Sequence, residues 1–188
     1  MKDLSKLPAD LPVPVDDGAC DHLTGMLLPA IALDSVSGRP VDLSTLKGKT
    51  VVFFYPMHGH PDAPPMIGWN DIPGARGCTP QAGTFRDNYT RLEALGVNVF
   101  AISSQDLDAQ QEASTRLKLP YQLLNDSQFR LTKALQLPTF QYGALTYIKR
   151  ITIICEDGVI KKTFYPVFPP DKNIDEVIAW LDATSHPG

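Results

Sequence analysis

Apolar positions along the chain follow two rhythms. Residues 50–55, TVVFFY, are β-branched and aromatic without polar alternation, the pattern of a strand buried on both faces of a sheet. Residues 97–103, VNVFAIS, and the shorter 121–124 continue the theme. Residues 31–46 predict two short strands about the turn Ser37-Gly38, and 148–155 with 159–164 predict a hairpin around Glu156-Asp157-Gly158. Helical spacing intervenes. Phe85, Tyr89, Leu92 and Leu95 define one helix over 79–95, with Thr79 as N-cap, Pro80 at the first helical position and Gly96 beyond its end. Further helices are predicted over 108–117, 126–135 and 173–181. Strand and helix alternate through the first half, and a hairpin with a closing helix completes the second. That order predicts an α/β fold, a central mixed β-sheet with helices on both faces.

Two stretches follow neither rhythm. Residues 1–28 mix Pro and Asp with short apolar residues and are expected to form an extended N-terminal arm, leaving 29–188 as the one folded domain. Residues 56–77 carry several Pro and Gly with little periodicity, and a long structureless loop inside a compact domain is more often functional than accidental. Charge narrows the partners: a formal net charge of −4 argues against the basic face of a nucleic-acid binder. No apolar run reaches the length of a membrane span. The opening residues lack the apolar core of a signal peptide, so a cytoplasmic protein without membrane association is expected.

Cys78 is where pattern turns into chemistry. It follows a strand and a loop, at or just before a helix start, where free backbone N–H groups and the helix dipole favour an anion. The thiolate is the reactive form of cysteine. Gly77 removes side-chain bulk in front of the sulfur, and Arg76 could add positive charge. Against this stands the common fate of a lone cysteine, which is to be buried and inert. Cys20 and Cys155 bring the count to three, and a chain of this size has no need of a disulfide framework. None of His22, His58, His60 and His186 has a spacing that implies pairing with Cys78 as in a Cys–His hydrolase, although His58 and His60 fall in the loop leading to it. Cys20 and His22 beside Asp16, Asp17 and Asp21 lack a second ligand pair, so a solvated acidic loop is favoured there over a metal site. The chain has no Cys-x-x-Cys and no glycine-rich phosphate loop, and neither metal nor cofactor is expected.

The segment GARGCTPQAGTFRD, preceded by VVFFYP and followed by NVFAISSQD, resembles the active-site region of the peroxiredoxins, most nearly their Q-type or bacterioferritin comigratory branch. The resemblance continues through LLNDSQFRLTKAL and KRITIICEDGVI. It implies a thioredoxin-like fold and a thiol-dependent peroxidase acting on hydrogen peroxide and organic hydroperoxides. Cys78 matches the peroxidatic cysteine, whose thiolate attacks a peroxide oxygen and becomes a sulfenic acid. Arg150, opening an Arg-x-Thr strand motif, matches the arginine that stabilises the thiolate and orients the peroxide. Both roles suit a group that keeps its charge and offers fixed donors. Pro56 matches the proline that shields the sulfur, with Pro73 as the alternative. The backbone of Cys78 and Gly77, with Thr79, is expected to bind peroxide oxygen, and Gln81 to serve the helix start.

The resemblance also has departures. Family members usually carry Thr or Ser three residues before the cysteine, and here that position is Ala75. A loop group, Thr79 or backbone must then take over. The loop between Pro56 and Cys78 is longer than the resemblance implies, and is expected to reshape the pocket or a subunit contact, with Trp69 as its anchor. Q-type members often place a resolving cysteine five residues after the peroxidatic one; here Gly83 stands there, and the local disulfide cannot form. Cys155, at the end of a core strand, reads as a buried thiol, and Cys20, on a polar arm, as one able to reach Cys78. A one-cysteine cycle with an external thiol (thioredoxin, glutaredoxin or glutathione) is favoured, with Cys20 and Cys155 as rival resolving residues. The alternative function is a peroxide-sensing or partner-binding module with little turnover. A homodimer is one arrangement the loop or the arm could support.

Overall fold

The apolar run at 50–55 becomes β3 (Lys49–Phe54), and its burial is as complete as its composition demands: Val51, Val52, Phe53 and Phe54 are all 0% exposed. In the computed structural model, which describes residues 3–185, this strand pairs in parallel with β4 (Asn98–Ser103) and antiparallel with β8 (Ile151–Glu156). Adding β1 (Ala32–Ser35), β2 (Val41–Asp42), β5 (Gln122–Asn125) and β9 (Val159–Phe164) gives a seven-stranded mixed sheet of order β2-β1-β5-β4-β3-β8-β9.

Alternate residues of β3 feed two cores. Val51, Phe53 and Tyr55 meet Phe85 of α1 (Cys78–Asp87), Leu92 of α2 (Tyr89–Ala94) and the apolar face of α5 (Asn173–Thr184). On the opposite face, Val52 and Phe54 meet Leu131 of α4 (Arg130–Ala134), Leu135 and residues preceding β1. Between β4 and β5 runs α3 (Leu107–Arg116), whose buried Gln110 donates to the Leu124 carbonyl at 2.8 Å and to Ser103 Oγ at 3.0 Å. The expected α/β architecture, helices on both faces of a mixed sheet, is the one observed.

Several elements differ from expectation, each for a local reason. The helix expected over 79–95 starts at Cys78 and breaks at Asn88, whose backbone leaves helical geometry and whose side-chain amide donates to the Thr84 carbonyl at 2.9 Å. Asparagine competes in this way with the helical ladder. The apolar period survives the break, because Phe85 and Leu92 still reach one core. The helix expected from residue 126 begins only at Arg130. Asp126 is instead a buried acceptor for the backbone N–H groups of Leu131 and Thr132, at 3.1 and 2.8 Å. A second sheet, β6 (Thr139–Tyr142) with β7 (Leu145–Ile148), was not anticipated. Its strands are short and largely half-exposed, so they lack the continuous apolar signature of the main sheet.

The arm is more engaged than its polar composition suggests. Leu23 is fully buried, and Cys20, expected on a mobile segment, is only 5% exposed. Asp16 and Asp17 accept from the backbone N–H groups of Gly18 and Ala19, which fixes the turn that sends Cys20 inward. Further on, Gly25 and Leu28 donate to the carbonyls of Ile160 and Gly158, laying the segment beside β9.

The buried Asp126 carboxylate gives a direct test of how the chain reaches α4. Asp126→Ala leaves two N–H groups at the head of this helix without their acceptor, and a loss of about 1–2 kcal/mol in unfolding free energy is expected by urea titration.

Candidate active site

Cys78 is the first residue of α1, and the local backbone can be made only with glycine in front of it. Gly77 has φ +125°, and a Cβ there would lie 2.6 Å from Pro170 Cγ and 3.1 Å from Leu7 Cδ2. The helix is pinned to the sheet from behind. Phe85 stacks on Phe53 with ring centroids 4.4 Å apart, and the Tyr121 hydroxyl donates to the Ala82 carbonyl at 2.9 Å. These contacts fix where the helix start, with its unsatisfied N–H groups, delivers the sulfur.

Arg150 lies between β7 and β8 and is 3% exposed. Its Nη2 donates to Cys78 Sγ at 3.2 Å and to the Ala75 carbonyl at 3.0 Å. Nη1 donates to Gln81 Oε1 at 2.7 Å, and Nε to the Gly74 carbonyl at 3.3 Å. Gln81 Nε2 in turn donates to Asn173 Oδ1, which also accepts from Thr152 Oγ1 at 2.6 Å. A relay of buried amides and a hydroxyl thus ties α1, β8 and α5 around the guanidinium. Sequence reasoning gave Gln81 to the helix start, and it missed Asn173 altogether. Thr152 was visible only as the last letter of the Arg-x-Thr motif. Positive charge and oriented donors are aimed at the sulfur, and a nucleophile is what this arrangement can supply.

Ala75 is fully buried against Trp69 and Tyr147. Its carbonyl serves Arg150, and its methyl leaves this position without the hydroxyl that is usual in the family it resembles. Trp69 is the anchor of the long loop, and its partners are intramolecular. It meets Tyr142 and Tyr147 of the β6–β7 hairpin edge-on, at centroid distances of 5.3 and 5.2 Å. The Tyr142 hydroxyl donates to the Ile67 carbonyl at 2.8 Å. Cys78, Gly77 and Thr79 line a cavity of about 420 Å³ together with this loop. Pro56 is buried just after β3, and its neighbour Met57 lines the cavity. Pro73 lies in a second cavity, which Arg150 also lines.

The other candidates separate from this centre. Cys20 and Cys155 belong to the core on the opposite face of the sheet from Cys78. Burial pushes the thiols of both up to about 12, with Asp17, Asp16 and Asp21 adding to the shift at Cys20. His58 is buried and stacked on Tyr55 at 4.4 Å, and neither ring nitrogen has a hydrogen-bond partner among the described residues. Burial, then the charges of Arg116 and Arg150, lower its pKa to about 3, so it is a neutral imidazole. His60 pairs with Glu112 at 3.5 Å, and His22 Nε2 bonds the Leu135 carbonyl at 2.8 Å. His186 lies outside the described residues. Arg76 does not reach the sulfur with a hydrogen bond; it donates to the carbonyls of Leu4 and Lys6.

A profile of the Redoxin family matches residues 23–178. The chain belongs to the Redoxin family and is a Q-type peroxiredoxin. It is 32% identical to the chloroplastic peroxiredoxin Q of Suaeda salsa, over 85% of this chain and 67% of that one. With the corresponding protein of Gentiana triflora it shares 28% identity over 97% of this chain and 80% of the relative. Among solved structures, the peroxidoxin BcpB of Mycobacterium tuberculosis superposes with a TM-score of 0.69 at 25% identity, covering 87% of this chain and 99% of that one. A Xylella fastidiosa PrxQ mutant gives 0.72 at 18% identity, covering 88% and 99%, and supports the thioredoxin-like fold alone. This peroxiredoxin is accordingly a thiol-dependent peroxidase. No helix among the described residues is long and apolar enough to cross a membrane.

The thiols of this peroxiredoxin are expected to react in a fixed order. A thiol titrating near 12 is ionised in about one molecule in ten thousand at pH 8. Iodoacetamide at that pH should therefore leave Cys20 and Cys155 almost unlabelled in the folded protein, while Cys78, which lines the cavity, is labelled first. Peptide mass spectrometry over time measures the order. Equal labelling without denaturant would contradict it.

Proposed function

We propose that this peroxiredoxin reduces hydrogen peroxide and organic hydroperoxides in a one-cysteine cycle, with Cys78 as the peroxidatic residue and an external thiol as reductant. The observation that carries the reading is the contact of Arg150 Nη2 with Cys78 Sγ at 3.2 Å, made by a guanidinium that the fold has already buried and oriented. The thiolate attacks the distal oxygen of the hydroperoxide. The S–O bond forms, the O–O bond breaks, and the departing oxygen takes a proton to leave as alcohol or water. Arg150 and the free N–H groups at the start of α1 hold the charge that develops on the oxygens. Sulfur is left as a sulfenic acid.

The placement of the other thiols supports the second half of the proposed cycle. Gly83 stands at the position of the local resolving cysteine, and Cys20 and Cys155 sit behind the sheet with strongly protonated thiols. An external thiol therefore attacks the sulfenic sulfur, expelling water and leaving a mixed disulfide. A second thiol then releases Cys78. Thioredoxin, glutaredoxin and glutathione are the donor classes to try, and a reducing compartment such as the cytoplasm suits the cycle. Pro56 is assigned to shielding the approach to the sulfur, and Gly77 and Thr79 to peroxide binding. The absence of a hydroxyl at Ala75 favours a second reading, a sensor that oxidises once and turns over poorly.

One equivalent of hydrogen peroxide in the presence of a sulfenic-acid trap should give a trapped adduct on Cys78 alone, read by mass spectrometry. The adduct should vanish in Cys78→Ser, and Arg150→Ala should slow its formation by about 10²–10³-fold, the usual loss when one oriented donor is removed. A Cys78–Cys20 or Cys78–Cys155 disulfide would overturn the one-cysteine cycle. Sustained peroxide consumption with a thiol donor separates the enzyme from the sensor, which would stop after a single oxidation.

A further inference from the structure

The cavity beside Cys78 is far larger than hydrogen peroxide needs, and two segments outside the sheet build most of it. Its volume is about 420 Å³, in the range of pockets that hold whole organic ligands, whereas a water molecule takes up about 30 Å³ of liquid. Met57, Met66 and Trp69 of the long loop line it from one side, and Leu4 of the N-terminal segment lines it too. The loop is fixed by polar ties. Gln105 accepts from the His58 backbone N–H at 2.9 Å and donates to the His58 carbonyl at 3.2 Å, and Arg116 donates to the Gly59 carbonyl at 3.0 Å. The N-terminal segment is tied by Arg76, which donates to the Leu4 carbonyl at 3.2 Å and to the Lys6 carbonyl at 2.9 Å. Leu4 packs closely on Gly59, so the two segments meet. A pocket fixed in this way needs little ordering when a ligand enters.

We infer that Met57, Met66, Trp69 and Leu4 are specificity-determining residues, which select hydroperoxides bearing an apolar group over hydrogen peroxide. The inference rests on the peroxidase reading of Cys78. Thioethers and an indole offer adaptable, polarisable contact to a hydrocarbon chain or ring. The charged groups on the same cavity are of both signs, Asp3 and Asp71 with Arg76, so its apolar surface is what discriminates between ligands. Each methylene buried against such a surface strengthens binding by about fourfold. The alkyl group binds beside Trp69 while its peroxide group reaches Sγ. Attack then proceeds as before: sulfur takes the distal oxygen, the O–O bond breaks, and the alcohol leaves with one proton.

The test compares second-order rate constants for Cys78 oxidation by cumene hydroperoxide, tert-butyl hydroperoxide and hydrogen peroxide, by stopped flow on the full chain. Cumene hydroperoxide is expected to react fastest. In Met66→Gln and in Leu4→Ser, the ratio of the cumene to the hydrogen peroxide rate constant should fall about tenfold. A second measurement needs no variant: 2-phenyl-2-propanol, the alcohol product, should slow oxidation of the wild-type protein by hydrogen peroxide at millimolar concentration. Unchanged ratios, or no protection by the alcohol, would overturn the specificity assignment and leave the peroxidase reading standing. Failure of all three hydroperoxides to oxidise Cys78 in folded protein would remove both.

Discussion

The candidate site depends on the burial of one guanidinium. A positive charge taken out of water is costly unless it is hydrogen-bonded and paired. Arg150 meets the first condition with the carbonyls of Gly74 and Ala75 and the amide oxygen of Gln81. Neutral acceptors satisfy its donors and leave its charge uncompensated. The sulfur of Cys78 is the remaining partner of its Nη2. Burial of the guanidinium and placement of the sulfur therefore share one origin. Gln81, Asn173 and Thr152 matter because they hold that arrangement in a single geometry, with a donor and acceptor matched at each step.

The longer loop and the absence of a hydroxyl at Ala75 are one structural feature. Trp69 needs a flat apolar seat, and Ala75 with Tyr147 provides it. A larger polar residue at position 75 would place a hydroxyl among aromatic rings. The β6–β7 hairpin completes the arrangement by offering Tyr142 and Tyr147 edge-on to the indole and a hydroxyl to the Ile67 carbonyl. The loop thus sets an apolar wall near the sulfur, where backbone carbonyls and Arg150 make the polar contacts.

Placement also divides the labour among the cysteines. Cys78 lies at a helix start facing a cavity, while Cys20 and Cys155 fill space behind the sheet beside leucines and isoleucines. Burial makes them small apolar side chains with firmly held protons. Cys155 lies within β8, whereas Cys20 belongs to the segment ahead of β1, so the two thiols are held behind the sheet by different means. The alternation of β3 is what enforces this separation, since Val52 and Phe54 face one set of thiols and Val51 and Phe53 the other.

The order of strands and helices was legible in the sequence because burial imposes a period that local residues must obey. The uninterrupted TVVFFY run could be little else than a central strand, and Gly77-Cys78-Thr79-Pro80 marked a helix start with a thiol in it. Arg150 was legible through its motif. The break at Asn88 and the delayed start of α4 were not, because each depends on a side chain choosing among backbone partners that only the folded turn presents. The hairpin at 139–148 escaped notice for a related reason: its aromatic residues, Phe140, Tyr142 and Tyr147, pack on a loop rather than on the sheet, so no period announces them. Likewise the inward turn of Cys20, the seat of Trp69 on Ala75 and the convergence of Gln81 and Asn173 join residues far apart in the chain. The sequence by itself determined the alternating α/β framework and the place of Cys78 at a helix start, since both are local patterns. Only the tertiary structure decided what surrounds that thiol, because those contacts are made across the fold, where neither spacing nor composition leaves a trace.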